Sequence, residues 1–410
     1  MRLYIDPGTG SMLFSLVIGL ISVIWFGARK LYVKLKYLTP GKTTADANKK
    51  DIVIYGEDKR YWTSFKGILD EFERRKIQVS YLAGSEDDPL LKENYEYVQT
   101  EVIGLGNKAY ARLNFLNARV VLATTPGLDV YQWKRSKDAE FYIHMTHSIG
   151  GGTAYKMFGT QFFDAVLLCS DVFLPLHREL EEKRGSAHKD VVAVGQTYMD
   201  YLLERKQTLR PEQHHRITVL VAPSWGATSL LNRFGETLLD ALTAEGFDVT
   251  LRPHPQSFTA EAELIRSFEG KYPESERFHW SREPDNFNVL AHSDILISDF
   301  SGVICDYAFI FERPVLYAGG LPDTAKQDEA WLDEPYWGTK VLPQVGAELR
   351  EEDLPSLGAI VREMVDSDDY RASIRAIREV YWQNRGSASA HVVDYIMDKV
   401  KELSSGASTA

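Results

Sequence analysis

The sequence predicts an α/β protein with two Rossmann-like halves, each a parallel sheet flanked by helices, behind an N-terminal apolar helix. Three observations carry this prediction. Short apolar runs alternate with segments of helical period, the pattern of strand–helix–strand units. The alternation breaks at Glu204-Arg205-Lys206 and Arg210-Pro211-Glu212, near residues 205–216, and then restarts. At 410 residues the chain is long enough for two domains of ordinary size.

Taken in order, residues 1–36 are the expected membrane anchor. No charged residue occurs from Pro7 to Ala28, and Arg29, Lys30, Lys34 and Lys36 follow at once. About twenty apolar residues span a bilayer. A basic cluster after the span places the rest of the chain on the cytoplasmic side of the cell membrane. The rival reading is a helix lying in the interface, because the most apolar core of the run is short for a full crossing. A cleaved signal peptide fits less well, since its basic cluster would precede the apolar run. The turn-rich opening Tyr4–Ser11 has no assigned chemistry. Residues 37–50, with Pro40-Gly41, read as a linker.

Residues 51–208 form the first half. Its expected strands are Asp51–Tyr55, Val79–Leu82, Arg119–Ala123, Phe141–Ile143, Ala165–Leu168 and Val191–Gly195. Trp62, Phe65, Ile68, Leu69 and Phe72 recur at helical spacing and belong to a core-facing helix. Residues 209–403 form the second half. Its expected strands are Ile217–Ala222, Val249–Leu251, Phe278–Trp280, Ile295–Ile297 and Val315–Tyr317, and helices run from about Leu354 to Leu403. Residues 404–410 are the expected disordered tail.

The formal charge of −11 argues against a general nucleic-acid binder but leaves room for a local basic cleft. Cys169 and Cys305 lie in apolar segments and read as buried free thiols. No disulfide framework or zinc spacing is present, which fits a reducing compartment. Asp366-Ser367-Asp368-Asp369 contains a D-x-D pattern but reads as a helix cap, so neither a metal nor a cofactor is expected.

Two strand ends carry the chemistry. The first is Leu251-Arg252-Pro253-His254-Pro255. In extended chain Arg252 and His254 share a face, and Pro255 keeps His254 from helical geometry. A forked cation beside an imidazole suits a diphosphate. The second is Ile297-Ser298-Asp299-Phe300-Ser301-Gly302, ahead of the helical run Val303–Ala308. Ser301 there meets the unpaired N–H groups of a helix start, which bind anions. The bland readings are a surface ion pair for Arg252, a core role for His254 and an ordinary N-cap for Ser301. Both motifs stand at the carboxyl ends of strands, where open α/β sheets bind ligands. Pro223-Ser224-Trp225-Gly226 closes the second half's first strand. Its Trp225 either stacks a base or covers the core.

In the first half, His147 follows the strand Phe141–Met145 and precedes Gly150-Gly151-Gly152. A histidine titrates near working pH and suits proton removal from an attacking hydroxyl. His144 is the competing residue, on the opposite face by alternation, and the bland reading is that both histidines only pack. The glycine run is not a P-loop, since no G-K-S or G-K-T follows. Lys156 reaches an anion or is a solvated surface lysine.

R-P-H-P, then S-D-F-S-G-V-I-C-D-Y-A, then R-P-V-L-Y resembles the CDP-glycerol glycerophosphotransferases of teichoic acid synthesis. Thr146-His147-Ser148 through Lys156 and Gly159 more loosely resembles the family's W-H-G-x-x-x-K-x-x-G element. The likeness covers roughly the middle of the first half to residue 320. Thr146 replaces Trp, Ser148 replaces Gly, and Gly302 replaces the second serine of the S-D-x-S-S element. The resemblance implies the GT-B fold, with two Rossmann-like domains facing a cleft. It also implies transfer of a polyol phosphate, glycerol phosphate first, from a CDP-activated donor to a lipid-linked membrane acceptor. His147 is then the base. Arg252, His254, Ser298, Asp299, Ser301, Gly302, Asp306 and Ser224 surround the donor, with the Asp299 carboxylate turned from phosphate to orient His254 or a ribose hydroxyl or to cap a loop, and Gly150, Gly151 and Lys156 form the acceptor-side loop. The rivals are a GT-B glycosyltransferase using a nucleotide sugar and a membrane-anchored binding protein on a degenerate GT-B fold.

Overall fold

The computed structural model describes residues 49–210, 216–320, 322, 324–334 and 337–406, together with Trp25 and Gly27, which are helical. The expected anchor and linker therefore lie almost wholly outside the described residues, as does the end of the tail. Among the described residues no helix is long and apolar enough to cross a membrane. The chain divides into one unit over Met1–Lys49 and another over Lys50–Ala410.

The second unit holds two parallel sheets. The first contains β1 (Lys50–Gly56), β2 (Val79–Ala83), β3 (Val98–Val102), β4 (Asn117–Ala123), β5 (Asp138–Met145), β6 (Ala165–Leu168) and β7 (Asp190–Ala193), in the order β3-β2-β1-β4-β5-β6-β7. The second contains β8 (Thr218–Val221), β9 (Asp248–Leu251), β10 (Phe278–Trp280), β11 (Ile295–Ser298), β12 (Val315–Ala318) and β13 (Gly346–Leu349), in the order β10-β9-β8-β11-β12-β13. Both orders reverse beside the first strand of their sheet, between β1 and β4 and between β8 and β11. These are the switch points at which doubly wound sheets open a crevice. The central strands are apolar without alternation because helices cover both faces; Val53, Ile54 and Tyr55 are all buried.

The two halves share a core. Leu168, Cys169 and Phe173 of the first half pack in one cluster with Ile304, Cys305, Tyr307, Ile374 and Trp382 of the second. Both cysteines are buried and free. The last helix, Ala388–Ser404, departs from the expected assignment to the second half. Its Val392, Val393, Ile396 and Val400 are buried against Ile52, Ile54, Phe65 and Leu69 of the first. Its apolar stripe recurs at helical spacing and completes, beside the helix Trp62–Arg74, the cover of that sheet face. Gly67 permits the crossing, since a Cβ there would stand 2.4 Å from the Ser389 hydroxyl.

Candidate active site

The first wall is built where β5 ends. His147 lies two residues past Met145, in a turn whose Thr146 and Ser148 carbonyls accept hydrogen bonds from Gln196 Nε2 at 3.1 and 2.8 Å. The Tyr61 ring packs on the imidazole at 4.9 Å between centroids, and Tyr155 Oη stands 3.3 Å from Nδ1. Burial pushes the His147 pKa down to about 4, so the ring is neutral at pH 7 and a weaker base than a solvated imidazole. His144 is fully buried, edge-on to Tyr155, and does not reach the cleft.

The glycine run serves packing rather than a ligand, which corrects the expected role of Gly150 and Gly151. Both are buried. Gly150 N–H donates to Cys169 Sγ at 3.4 Å, and the Gly151 carbonyl accepts from His177 Nε2 at 2.7 Å. A Cβ on Gly151 would come within 3.1 Å of the Phe173 ring. Lys156 is exposed, and its backbone pairs with Gln327 of the second half.

That pairing belongs to a tether. Residues 326–329 reach from the second half to the 153–159 loop of the first. Met157 N–H donates to the Lys326 carbonyl at 3.1 Å, and Asp328 N–H donates to the Tyr155 carbonyl at 3.0 Å. The Asp328 carboxylate accepts from Phe158 N–H at 2.6 Å, Gly159 N–H at 3.2 Å and Arg184 Nη2 at 2.5 Å. Thr153 Oγ1 donates to Glu329 Oε1 at 3.1 Å. Burial raises the Glu329 carboxyl to about 7.

The second wall differs from expectation in what its residues touch. β9 ends at Leu251, so Arg252 and His254 lie in the following loop rather than side by side on a strand. The Arg252 guanidinium donates to Ser281 Oγ at 2.6 Å and to the Glu283 carbonyl at 2.7 Å, which directs it at a neighbouring loop. His254 is exposed and stacks on Trp225, with ring centroids 6.5 Å apart and planes at 29°. Burial, the positive charge of Arg60 and the opposing carboxylates of Asp299 and Glu261 together leave the His254 pKa lowered. Trp225 is 48 % exposed, which favours its reading as a stacking surface over a core cover.

Ser298, Asp299 and Asp306 are supports and not cleft-lining groups. Ser298 is buried, and its hydroxyl donates to the Ala222 carbonyl at 2.6 Å. Asp299, also buried, accepts from the backbone N–H groups of Ser224, Leu230 and Phe300 at 2.8 to 3.1 Å. It thereby ties the Trp225 loop to the end of β11. Asp306 is buried beneath the helix start, accepts from Tyr198 Oη at 3.3 Å, and is raised by burial to about 7. The Ser224 hydroxyl is buried and, among the described residues, has no hydrogen-bond partner. Ser301 is half-buried and Gly302 is exposed, ahead of the helix Val303–Phe311. A Cβ on Gly302 would meet nothing within 4 Å, so the space above this helix start is open.

Lys59–Tyr61 lies beyond the β1 switch point; its Tyr61 packs on His147, and the exposed Arg60 guanidinium donates to Asp58 Oδ1 at 2.8 Å. Sequence reasoning missed Arg60, Tyr61, Tyr155 and Gln196. No spacing rule marks them, although Tyr155 sits one residue from the Lys156 of the quoted motif. Among the described residues no group of three or more His, Cys, Asp or Glu is placed to hold a metal ion.

Two doubly wound sheets whose strand-end loops face each other define the GT-B class of nucleotide-using folds. The sequence profile of the family described as CDP-Glycerol:Poly(glycerophosphate) glycerophosphotransferase matches residues 180–398, more than half of the chain. The chain belongs to that family and is a CDP-glycerol glycerophosphotransferase-like transferase, as its motifs led one to expect. Among solved structures, the wall teichoic acid polymerase TagF is similar at 17 % identity and a TM-score of 0.58, covering 95 % of this chain and 98 % of that one. The UDP-GlcNAc 2-epimerase of Methanocaldococcus jannaschii follows at 11 % identity and 0.54, covering 85 % and 99 %. A putative UDP-N-acetylglucosamine 2-epimerase of Listeria monocytogenes gives 12 % and 0.56, covering 86 % and 97 %. At these identities the likeness speaks for the fold. No curated protein matches the chain.

Proposed function

We propose that this enzyme moves glycerol phosphate from CDP-glycerol to a hydroxyl of a lipid-linked acceptor in cell-surface polymer synthesis. It works on the cytoplasmic side of a membrane to which residues 1–36 attach it. The observation that carries this reading is the open helix start at Ser301 and Gly302, in the half that also presents the exposed Trp225 ring.

The cytidine stacks on Trp225. The diphosphate lies over Ser301, Gly302 and the N-terminus of Val303–Phe311, with Arg60 and His254 as the cationic and imidazole partners. The acceptor oxygen attacks the phosphorus that bears glycerol and passes its proton to His147 Nε2. The bond from that phosphorus to the bridging oxygen breaks, and CMP leaves with the electron pair. Such a transfer depends on positioning and on dispersal of charge over the leaving group. Attachment to the membrane confines enzyme and acceptor to one surface and raises their effective concentration.

The test offers the full-length enzyme CDP-glycerol, CDP-ribitol and UDP-sugars with a short lipid acceptor and measures nucleotide release. CMP release from CDP-glycerol that depends on the acceptor is the expected result. Release of UDP from a UDP-sugar, with CDP-glycerol inert, would replace this reading with the glycosyltransferase one.

A further inference from the structure

We propose that Tyr155 is a positioning residue: its phenol oxygen accepts the Nδ1–H of His147 and leaves Nε2 bare toward the cleft. This rests on His147 as the base. The Oη–Nδ1 distance is 3.3 Å, and among the described residues Nε2 has no hydrogen-bond partner. A neutral imidazole carries one proton on one of two nitrogens, and the partner at the first decides what the second can do. A phenol can donate or accept. A base at Nε2 requires that it accept, because a hydroxyl that donated to Nδ1 would leave the proton on Nε2.

Several contacts hold the phenol in place. Its ring stands edge-on to the buried His144, at 5.2 Å and 88°. A Cβ on residue 159 would lie 2.6 Å from the Tyr155 Cβ, so glycine there makes room for it. Its carbonyl accepts the Asp328 N–H, and the loops on either side of it are fixed by Asp328 and Glu329. The half that carries the donor loops thus sets the orientation of the base in the other half. In the reaction the acceptor proton goes to Nε2. The imidazolium keeps its Nδ1–H on the Tyr155 oxygen and later returns the Nε2 proton to solvent.

The test uses full-length enzyme labelled with 15N at histidine. The two ring resonances of His147 are assigned by their loss in His147→Asn. The expected wild-type pattern is protonated Nδ1 and bare Nε2. Tyr155→Phe, which keeps the ring, should shift that pattern and lower kcat about tenfold with KM for CDP-glycerol unchanged, the effect of one neutral hydrogen bond. A wild-type pattern with the proton on Nε2 would overturn the proposal and make His147 a donor to substrate oxygen. So would a Tyr155→Phe enzyme with wild-type kcat and tautomer. If His147→Asn keeps its turnover, the base reading itself falls. If His147→Asn is inactive while Tyr155→Phe is normal, only the positioning role falls.

Discussion

Asp328→Ala cuts the tether at its most buried point. Asp328 is fully buried, and the Arg184 side chain it holds is only 5 % exposed. Removing one member of a buried ion pair costs about 3–5 kcal/mol, because the other charge is left without a partner or water. The N–H groups of Phe158 and Gly159 lose an acceptor in the same step, at about 1 kcal/mol each. Some compensation remains. Arg184 Nη1 still donates to Gln161 Oε1 at 3.2 Å, and the guanidinium still lies 4.7 Å from the Phe158 ring centre and 5.2 Å from that of Trp331. The net expectation is a loss of about 3 kcal/mol, at the lower end of the range for such pairs. Asp328→Asn, which keeps an acceptor oxygen, should fall between this and wild type. The assay is urea unfolding of the full-length protein at pH 7, followed by circular dichroism. Arg184→Met combined with Asp328→Ala should cost clearly less than the sum of the two single changes, because they share one interaction. A loss below about 1 kcal/mol in Asp328→Ala, or strict additivity in the double variant, would show that the pair does not hold the tether.

The remaining expectations concern chemistry, pH and attachment. His147→Ala should lower kcat about 10²–10⁴-fold while CDP-glycerol binding, measured by calorimetry, stays near wild type. Near-normal turnover would remove His147 from the mechanism. The folded state holds a proton on Glu329 up to about pH 7, whereas the unfolded chain releases it near 4.5. Stability should therefore fall as pH rises through that window, and Glu329→Gln should flatten the slope of the urea midpoint between pH 4.5 and 7; an unchanged slope would assign it elsewhere. Arg252→Ala should weaken CMP and CDP to similar extents in titrations, since its guanidinium is held by Ser281 and Glu283. A loss confined to CDP would restore the expected grip on the distal phosphate. Deleting residues 1–36 should move the protein from the membrane pellet to the supernatant. Retention in the pellet at high salt would mean that another surface binds lipid.

Apolar runs marked the central strands well, since a strand buried on both faces has little choice but Val, Ile and Leu. The edges were less legible. Val98–Val102, with the sequence VQTEV, is exposed along most of its length, and Gly346–Leu349 carries a glycine and a glutamate. Each gives the core one buried apolar side chain, Val98 or Leu349, and pairing with a neighbour makes each a strand. At the site, the motifs located the right loops but not the direction of their side chains. Ser298 looks like a ligand in a string of letters, yet the end of β11 turns it inward to the Ala222 carbonyl, and of the roles open to Asp299 the structure shows loop capping. The Arg60-Tyr61 turn and Tyr155 reach the cleft from two places in the chain far apart in sequence, and local pattern carries no trace of such a meeting.

The return of Ala388–Ser404 to the first sheet has a consequence for the birth of the protein. Val392, Val393, Ile396 and Val400 shield a face whose own strands begin with β1. On the ribosome, the first half is complete roughly ten to forty seconds before that helix is made, at synthesis rates of about 5–20 residues per second. Through that interval an apolar surface stands open. The first half thus emerges in an unfinished form and becomes whole only when nearly all of the second half has been synthesised.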